Sequence, residues 1–256
     1  MNLFLNPDVR PYWGPGHEEQ LLRVYEEVWK RKSILRYYYE HWYRRIEQAL
    51  VPGRIVEIAS GTGNFSRWLA HRGVVASDIV RGEHTSVILD AHHLPFAPNS
   101  VQNFVMIDAL HHLGRPLQCF EEVGRALAPD GRFVMLESYM SPWGYALFKG
   151  FHYEKPDYSV DAAGQLKKPP TLFQGNPAVS SLIFRHPGQL PLRVESIEYL
   201  EFLSYPLSGG FAYRSLLPAW LLRAMHRVEQ SPLIANRYLG VRMLVVMTRK
   251  APRPAA

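Results

Sequence analysis

The run Glu57-Ile58-Ala59-Ser60-Gly61-Thr62-Gly63-Asn64 holds the chemistry most readable in this chain. Gly61 and Gly63 present backbone without a Cβ, so a ligand can approach closely, and Glu57 sets a carboxylate beside them. An acid in that place repels a diphosphate and favours a ligand with a cationic end. Asp78 lies 15 residues beyond Gly63, at a position where a carboxylate can accept both hydroxyl protons of a ribose. Asp90 follows in Asp90-Ala91-His92-His93-Leu94-Pro95-Phe96, and Asp108 opens Asp108-Ala109-Leu110-His111-His112-Leu113. Two phosphate-binding patterns are missing. Gly-x-Gly-x-x-Gly fails at its last position, which is Ser66, and no Gly-Lys-Ser/Thr is present. A tight strand-to-helix turn without a ligand competes with the nucleoside reading, and Asp78 and Asp90 tip the balance toward a positively charged nucleoside.

His111 and His112 are the candidate proton acceptors; packing of the following turn is the competing role. His92 and His93 sit on the other side of the ligand and serve less well. His152, Tyr153, Glu154, Asn176 and the turn Ser208-Gly209-Gly210-Phe211 stand out as polar or special-backbone residues for an acceptor region. Cys119 is the single cysteine, which removes disulfides and thiolate zinc sites, and no histidine spacing marks a metal site on one helix.

These groups need a sheet edge to hold them, and the sequence supplies one. Leu21 to Leu50 carries apolar residues at three-to-four-residue intervals, predicting two helices divided near Ser33. From residue 52 short apolar runs alternate with helix-length segments, as in a parallel sheet with crossover helices. The strands expected are Arg54–Ala59, Gly73–Asp78, a short one near Thr85–Leu89, Val101–Ile107 and Arg132–Glu137. Helices are expected over Asn64–Arg72 and Leu117–Leu127, and Pro129-Asp130-Gly131 reads as a sharp turn. Residues 1–16 read as an extended arm and residues 141–191, broken by many prolines and glycines, as loops. Leu192–Leu203 and Val241–Thr248 read as closing strands. Between them Ser215–Arg227 is an apolar-faced helix that packs on its own sheet, caps an apolar acceptor, or rests on a membrane surface through Arg223 and Arg227.

The 256 residues are 47% hydrophobic and 20% charged, which excludes a disordered chain. No apolar run reaches the ~20 residues that span a bilayer, and no secretory signal is legible, so a cytoplasmic protein is expected. The net charge of +6 is uneven. Residues 1–139 hold 15 Lys/Arg against 16 Asp/Glu, and residues 140–256 hold 14 against 7. Scattered basic residues without aromatic interleaving, and no base-flipping segment, speak against a nucleic-acid partner.

Taken together, Glu57 to Gly63, Asp78, Asp90-Ala91 with Leu94-Pro95-Phe96, Asp108 to Leu113 and Glu121 to Gly131 resemble the class I S-adenosylmethionine-dependent methyltransferases, in particular the type 11 group. The resemblance covers residues 50 to 140, with a departure at Ala59, where the family usually has a glycine and only a modest shift of the loop is expected. It implies a Rossmann-like α/β fold, a seven-stranded, mostly parallel sheet with an antiparallel last strand, bearing an N-terminal helical cap and C-terminal insertions. The division implied is arm and cap over 1–50, cofactor core over 51–140, loop-rich insertion over 141–191, and closing strands with a helical insert over 192–256. S-adenosylmethionine is the cofactor implied, held by Glu57, Ala59, Ser60, Gly61, Gly63, Asp78, Asp90, Ala91 and Asp108. His111, His112 and His152 are the catalytic candidates, no metal is implied, and the acceptor is a small organic, sugar or lipid-like molecule. The alternatives are a nicotinamide oxidoreductase or another nucleoside-dependent transferase on a similar sheet, and a cofactor-binding scaffold without turnover.

Overall fold

Apolar runs with buried residues on both faces demand cover from both sides, and the chain provides it. The computed structural model describes residues 6–12, 16–152, 154–159, 167–168 and 175–250. Seven strands, β1 (Ile55–Ile58), β2 (Val75–Asp78), β3 (Val87–Ile88), β4 (Val101–Ile107), β5 (Leu127–Ser138), β6 (Leu192–Leu200) and β7 (Arg242–Arg249), form one sheet in the order β3-β2-β1-β4-β5-β7-β6. Strands β1 to β5 pair in parallel, and β7 runs antiparallel to both β5 and β6. The chain steps outward from β1 to β3 and then returns to β4 beside β1, so the topological switch lies between β1 and β4. Ligands of open α/β sheets bind at that place, outside the carboxyl ends of the strands.

One face of the sheet packs Val56, Ile58, Phe104 and Met106 against α4 (Pro116–Ala126) and α6 (Val179–Ile183). The other packs Ile55, Val105, Val134 and Leu136 against α1 (Glu18–Arg31), α2 (Ser33–Ala49), α3 (Asn64–Trp68) and α8 (Ala219–Glu229). Lys32, at φ −97° and ψ 85°, breaks α1 from α2 next to the expected Ser33. The α2 stripe Tyr38, Tyr39, Trp42, Tyr43 and Ile46 is buried, and Tyr39 also reaches the strand-end residue Asp108 with its hydroxyl.

Four expectations are corrected. The strand expected from Arg132 begins at Leu127, because the Pro129-Asp130-Gly131 turn is a bulge inside β5: Val101 faces Leu127 and Asn103 already faces Arg132. A Cβ on Gly131 would lie 2.8 Å from the Gln102 carbonyl oxygen, so only glycine lets the bulge fold back on β4. The 141–191 segment is not all loop. It contains α5 (Pro142–Phe151), started by the Ser141 hydroxyl accepting the Gly144 N–H at 2.8 Å with Pro142 in the first turn, and α6. The described part of the arm turns through a 3-10 helix at Arg10–Tyr12 instead of extending, and Val9 is buried. The helix expected at Ser215–Arg227 begins at Ala219, after Pro218 in extended backbone, and runs to Glu229. It is preceded by the short α7 (Ser204–Ser208).

Candidate active site

Strand β1 ends in a turn whose backbone strain identifies it. Ala59, Gly61 and Gly63 have φ of +56°, +53° and +67°. Ala59 thus adopts the left-handed conformation that favours glycine, and the alanine carries the strain. Gly63 opens α3, and a Cβ there would stand 2.6 Å from the His84 Cβ. Above Gly61 the nearest side chain to an added Cβ is Leu22 of α1, at 3.9 Å. A concavity of about 410 Å³ opens here, between α1 (Leu22, Glu26) and the segment after β2 (Gly82, His84).

Among the described residues, four buried side-chain atoms lack a hydrogen-bond partner, and two of them, Glu57 Oε2 and Ser60 Oγ, belong to this turn. Burial pushes the Glu57 carboxyl up to about 8; the backbone and hydroxyl of Ser66 pull the other way, and the Asp78 charge adds to the rise. A buried acid with an unsatisfied oxygen fits a cationic ligand group, and the unsatisfied Ser60 hydroxyl fits a polar one.

Asp78 ends β2 and is buried. Its Oδ2 accepts the Gly61 N–H at 2.8 Å and its Oδ1 accepts the Val80 N–H at 2.9 Å, so the carboxylate also fixes the glycine turn. Burial raises its pKa against these backbone bonds. Asp90 is more exposed, and its Oδ1 accepts the His92 N–H at 2.8 Å and faces His92 Nδ1 at 2.6 Å. Ala91 is buried beside it. Asp108 follows β4 at φ +54° and places its carboxylate between Tyr39 Oη, which donates at 2.8 Å, and Arg242 Nη2, at 2.5 Å. The Arg242 guanidinium lies 4.4 Å from the Trp42 ring centre and 5.4 Å from that of Tyr205.

Beyond Asp108 the histidines occupy a carboxylate array. Glu137, at the end of β5, accepts the Ala109 N–H at 2.7 Å and the Leu110 N–H at 2.6 Å on Oε1, and its Oε2 faces His111 Nδ1 at 2.7 Å. His111 Nε2 and His112 Nε2 each lie 3.9 Å from Glu154. Burial pulls the His111 pKa down, but Glu137, with Glu154 and Asp108 beyond it, outweighs burial and holds it up at about 9. These carboxylates thus favour the imidazolium form of His111. His152 is driven the other way, to about 4, by burial that Glu154 only partly offsets. Its Nδ1 faces both the Glu154 N–H, at 3.2 Å, and the Glu154 carbonyl oxygen, at 3.3 Å. Tyr153 lies outside the described residues. Asn176 is structural: its Oδ1 accepts the Asp157 and Ala178 N–H groups at 3.1 and 3.0 Å. The turn at Ser208–Phe211 sends Phe211 onto Tyr25, Trp29 and Tyr39, with ring centres 5.0, 6.3 and 5.6 Å apart.

The sequence shows no metal-ligand spacing, yet the fold brings ligand atoms of His111, His112 and Glu154 within 4.8 Å of one another. At neutral pH the proton held by His111 competes for such a site. Three members of the site were not singled out by sequence reasoning. Tyr39 reads as one of many stripe aromatics, and Arg242 stands 134 positions from its partner Asp108. Glu137 alone carried a signal, as an acid ending a strand at the carboxyl edge. A larger depression of about 610 Å³ lies between α2 and the β6–β7 edge, lined by Arg44, Arg45 and Glu198. It lies along the middle of the strands and touches none of the strand-end residues, so the site is assigned to the switch point.

Residues 56–135 match the family model described as a methyltransferase domain, Methyltransf_11. A curated relative, the biotin biosynthesis bifunctional protein BioHC of Cellvibrio japonicus (strain Ueda107), is 37% identical over 92 residues; the match spans 31% of this chain and 18% of that protein's length. Among solved structures, an S-adenosylmethionine-dependent methyltransferase from Thermotoga maritima is 16% identical with a TM-score of 0.53, covering 90% of this chain and 98% of that one. A chain from the complex of the Haloferax volcanii Trm112 methyltransferase activator with a methyltransferase is 16% identical with a TM-score of 0.52, covering 96% of this chain and 100% of that one. At these identities the two structures establish the shared fold.

Proposed function

Residues 56–135 form a class I S-adenosylmethionine-dependent methyltransferase domain, and on that premise we propose that the chain methylates a small organic, sugar or lipid-like acceptor from S-adenosylmethionine. The observation that carries the reading is the pair of unsatisfied buried atoms, Glu57 Oε2 and Ser60 Oγ, at the strained end of β1. A cofactor with an amino-acid end and a nearby positive centre matches both, whereas a dinucleotide would set phosphates against Glu57. Gly61 gives it room, Gly63 lets His84 close over the turn, Asp78 has lone pairs left for ribose hydroxyls, and Asp90 and Ala91 flank the adenine. When bound, S-adenosylmethionine supplies an electrophilic methyl group on a good leaving group. The residues around it need to align the acceptor, match its charge and exclude water.

Asp108, Tyr39 and Arg242 form a hydrogen-bonded set at the end of β4 that orients the acceptor at the switch point. The rings of Tyr25, Trp29, Tyr39 and Phe211 close off water. His111 holds its proton at neutral pH, so it donates to an acceptor and stabilises negative charge there, and abstracts no proton itself. His152 is held neutral by burial. An acceptor that reacts as an anion or a neutral lone pair suits these residues better than a hydroxyl needing a base. The relative from biotin biosynthesis supports a small-molecule acceptor. Transfer of label from methyl-labelled S-adenosylmethionine into a cell extract, followed by identification of the labelled compound, tests the reading. A labelled small molecule is expected; no transfer into any extract fraction would contradict it.

A further inference from the structure

The helical insert between β6 and β7 uses one side of α8 for packing. Leu222, His226 and Glu229 are buried; the Leu222 carbonyl faces Tyr38 Oη at 3.4 Å, and His226 Nε2 lies 3.1 Å from Glu201 Oε1. The opposite side is apolar where it should be polar. Trp220 is 70% and Val228 64% exposed, and the flanking Leu216 and Leu233 are 51% and 85% exposed. Trp220 and Val228 stand eight positions apart, two helical turns along one ridge, with the exposed Arg223 and Arg227 beside them. A scattered apolar residue on a surface is ordinary, but a helical ridge led by Trp is a contact face.

The insert's own exposed charge has one sign. From residue 199 to residue 250 the only carboxylates are Glu201 and Glu229. Both are buried, and Glu229 is consumed by the Phe202, Leu203 and Ser204 N–H groups and the Ser204 hydroxyl. The insert therefore presents arginines and apolar side chains and no exposed carboxylate of its own. We propose that this face of α8 docks on an anionic phospholipid membrane, with Trp220 and the apolar ridge in the headgroup boundary and Arg223 and Arg227 against lipid phosphates. The same insert supplies Phe211 to the acceptor side of the active site, and Lys32 Nζ ties the two regions by donating to the Gly210 and Tyr213 carbonyls. The inference rests on exposure and charge and stands apart from the assignment of the reaction.

Co-sedimentation of the full chain with vesicles tests it. Binding is expected to vesicles of phosphatidylcholine with phosphatidylglycerol, to weaken as salt is raised, and to be much weaker with phosphatidylcholine alone. Each arginine near an anionic surface contributes about a factor of five, so Arg223→Gln with Arg227→Gln lowers the partition coefficient about 30-fold. Trp220→Ser lowers it further, with the melting temperature unchanged. Three results would each overturn the proposal: a wild-type chain that stays in the supernatant at low salt, a double variant that binds like wild type, or a concentration-dependent dimer that Trp220→Ser abolishes.

Discussion

Glu57 offers a prediction whose size can be worked out. With its carboxyl pushed up to about 8 by burial, only about 1% of the free protein carries ionised Glu57 at pH 6 and about half at pH 8. A cationic ligand group needs the ionised form, so affinity for S-adenosylhomocysteine should rise about 50-fold from pH 6 to pH 8, or about 2 kcal/mol, and level off above pH 9. Binding at pH 6.5 should release close to one proton, read by calorimetry in buffers of different ionisation enthalpy. Glu57→Gln removes this component while leaving the ligand's own titration in place, so the difference between the two proteins isolates the residue. The sign for folding follows from the same raised value. Glu57 contributes stability that is fully present below its unfolded pKa of 4.5 and is lost as pH rises through about 8, and the glutamine variant should lack that loss. Identical pH profiles for wild type and Glu57→Gln, or no proton release, would refute the reasoning.

The strained Ala59 makes a second prediction. A left-handed L-residue costs ~1–2 kcal/mol and glycine returns ~0.5–1 kcal/mol of that as chain entropy, so Ala59→Gly should raise the melting temperature by about 1–4 °C. Ala59→Val should lower it, and a destabilised glycine variant would show that the turn is not left-handed there. A Cβ at Gly175 would stand 2.5 Å from His111 Cδ2 and 2.7 Å from Glu154 Oε1. Gly175→Ala should therefore cost about 1–3 kcal/mol in a thermal melt and lower methyl transfer, and a wild-type melt would remove Gly175 from the support of His111.

Where local pattern decided the structure, the sequence was a good guide. Strand β4 spans the expected Val101–Ile107, because a continuous apolar run after Pro98-Asn99-Ser100 has few other ways to be buried. The glycine turn and Asp78 were legible because their spacing is set by one βαβ step. The bulge in β5 was not, since Pro129-Asp130-Gly131 makes a turn in either setting and only pairing with β4 makes it part of a strand. Helix α5 was hidden by its proline and glycine, though Ser141-Pro142 is a helix start. The partners of Asp108 and His111 could not be read, because Tyr39, Arg242 and Glu137 reach them only through sheet order. The acid–base state of His111 depends on those partners: Glu137 beside the ring favours its protonated form, a bias the isolated His-His pair does not show.

The claim that the strand-end turn accepts a cationic nucleoside is tested most directly by calorimetric titration of the wild-type chain with S-adenosylhomocysteine and, separately, with NADH. Saturable binding of the first at one site per chain, weakened by Asp78→Ala, with no heat from the second, is the predicted result. Saturable NADH binding with no response to S-adenosylhomocysteine would contradict it.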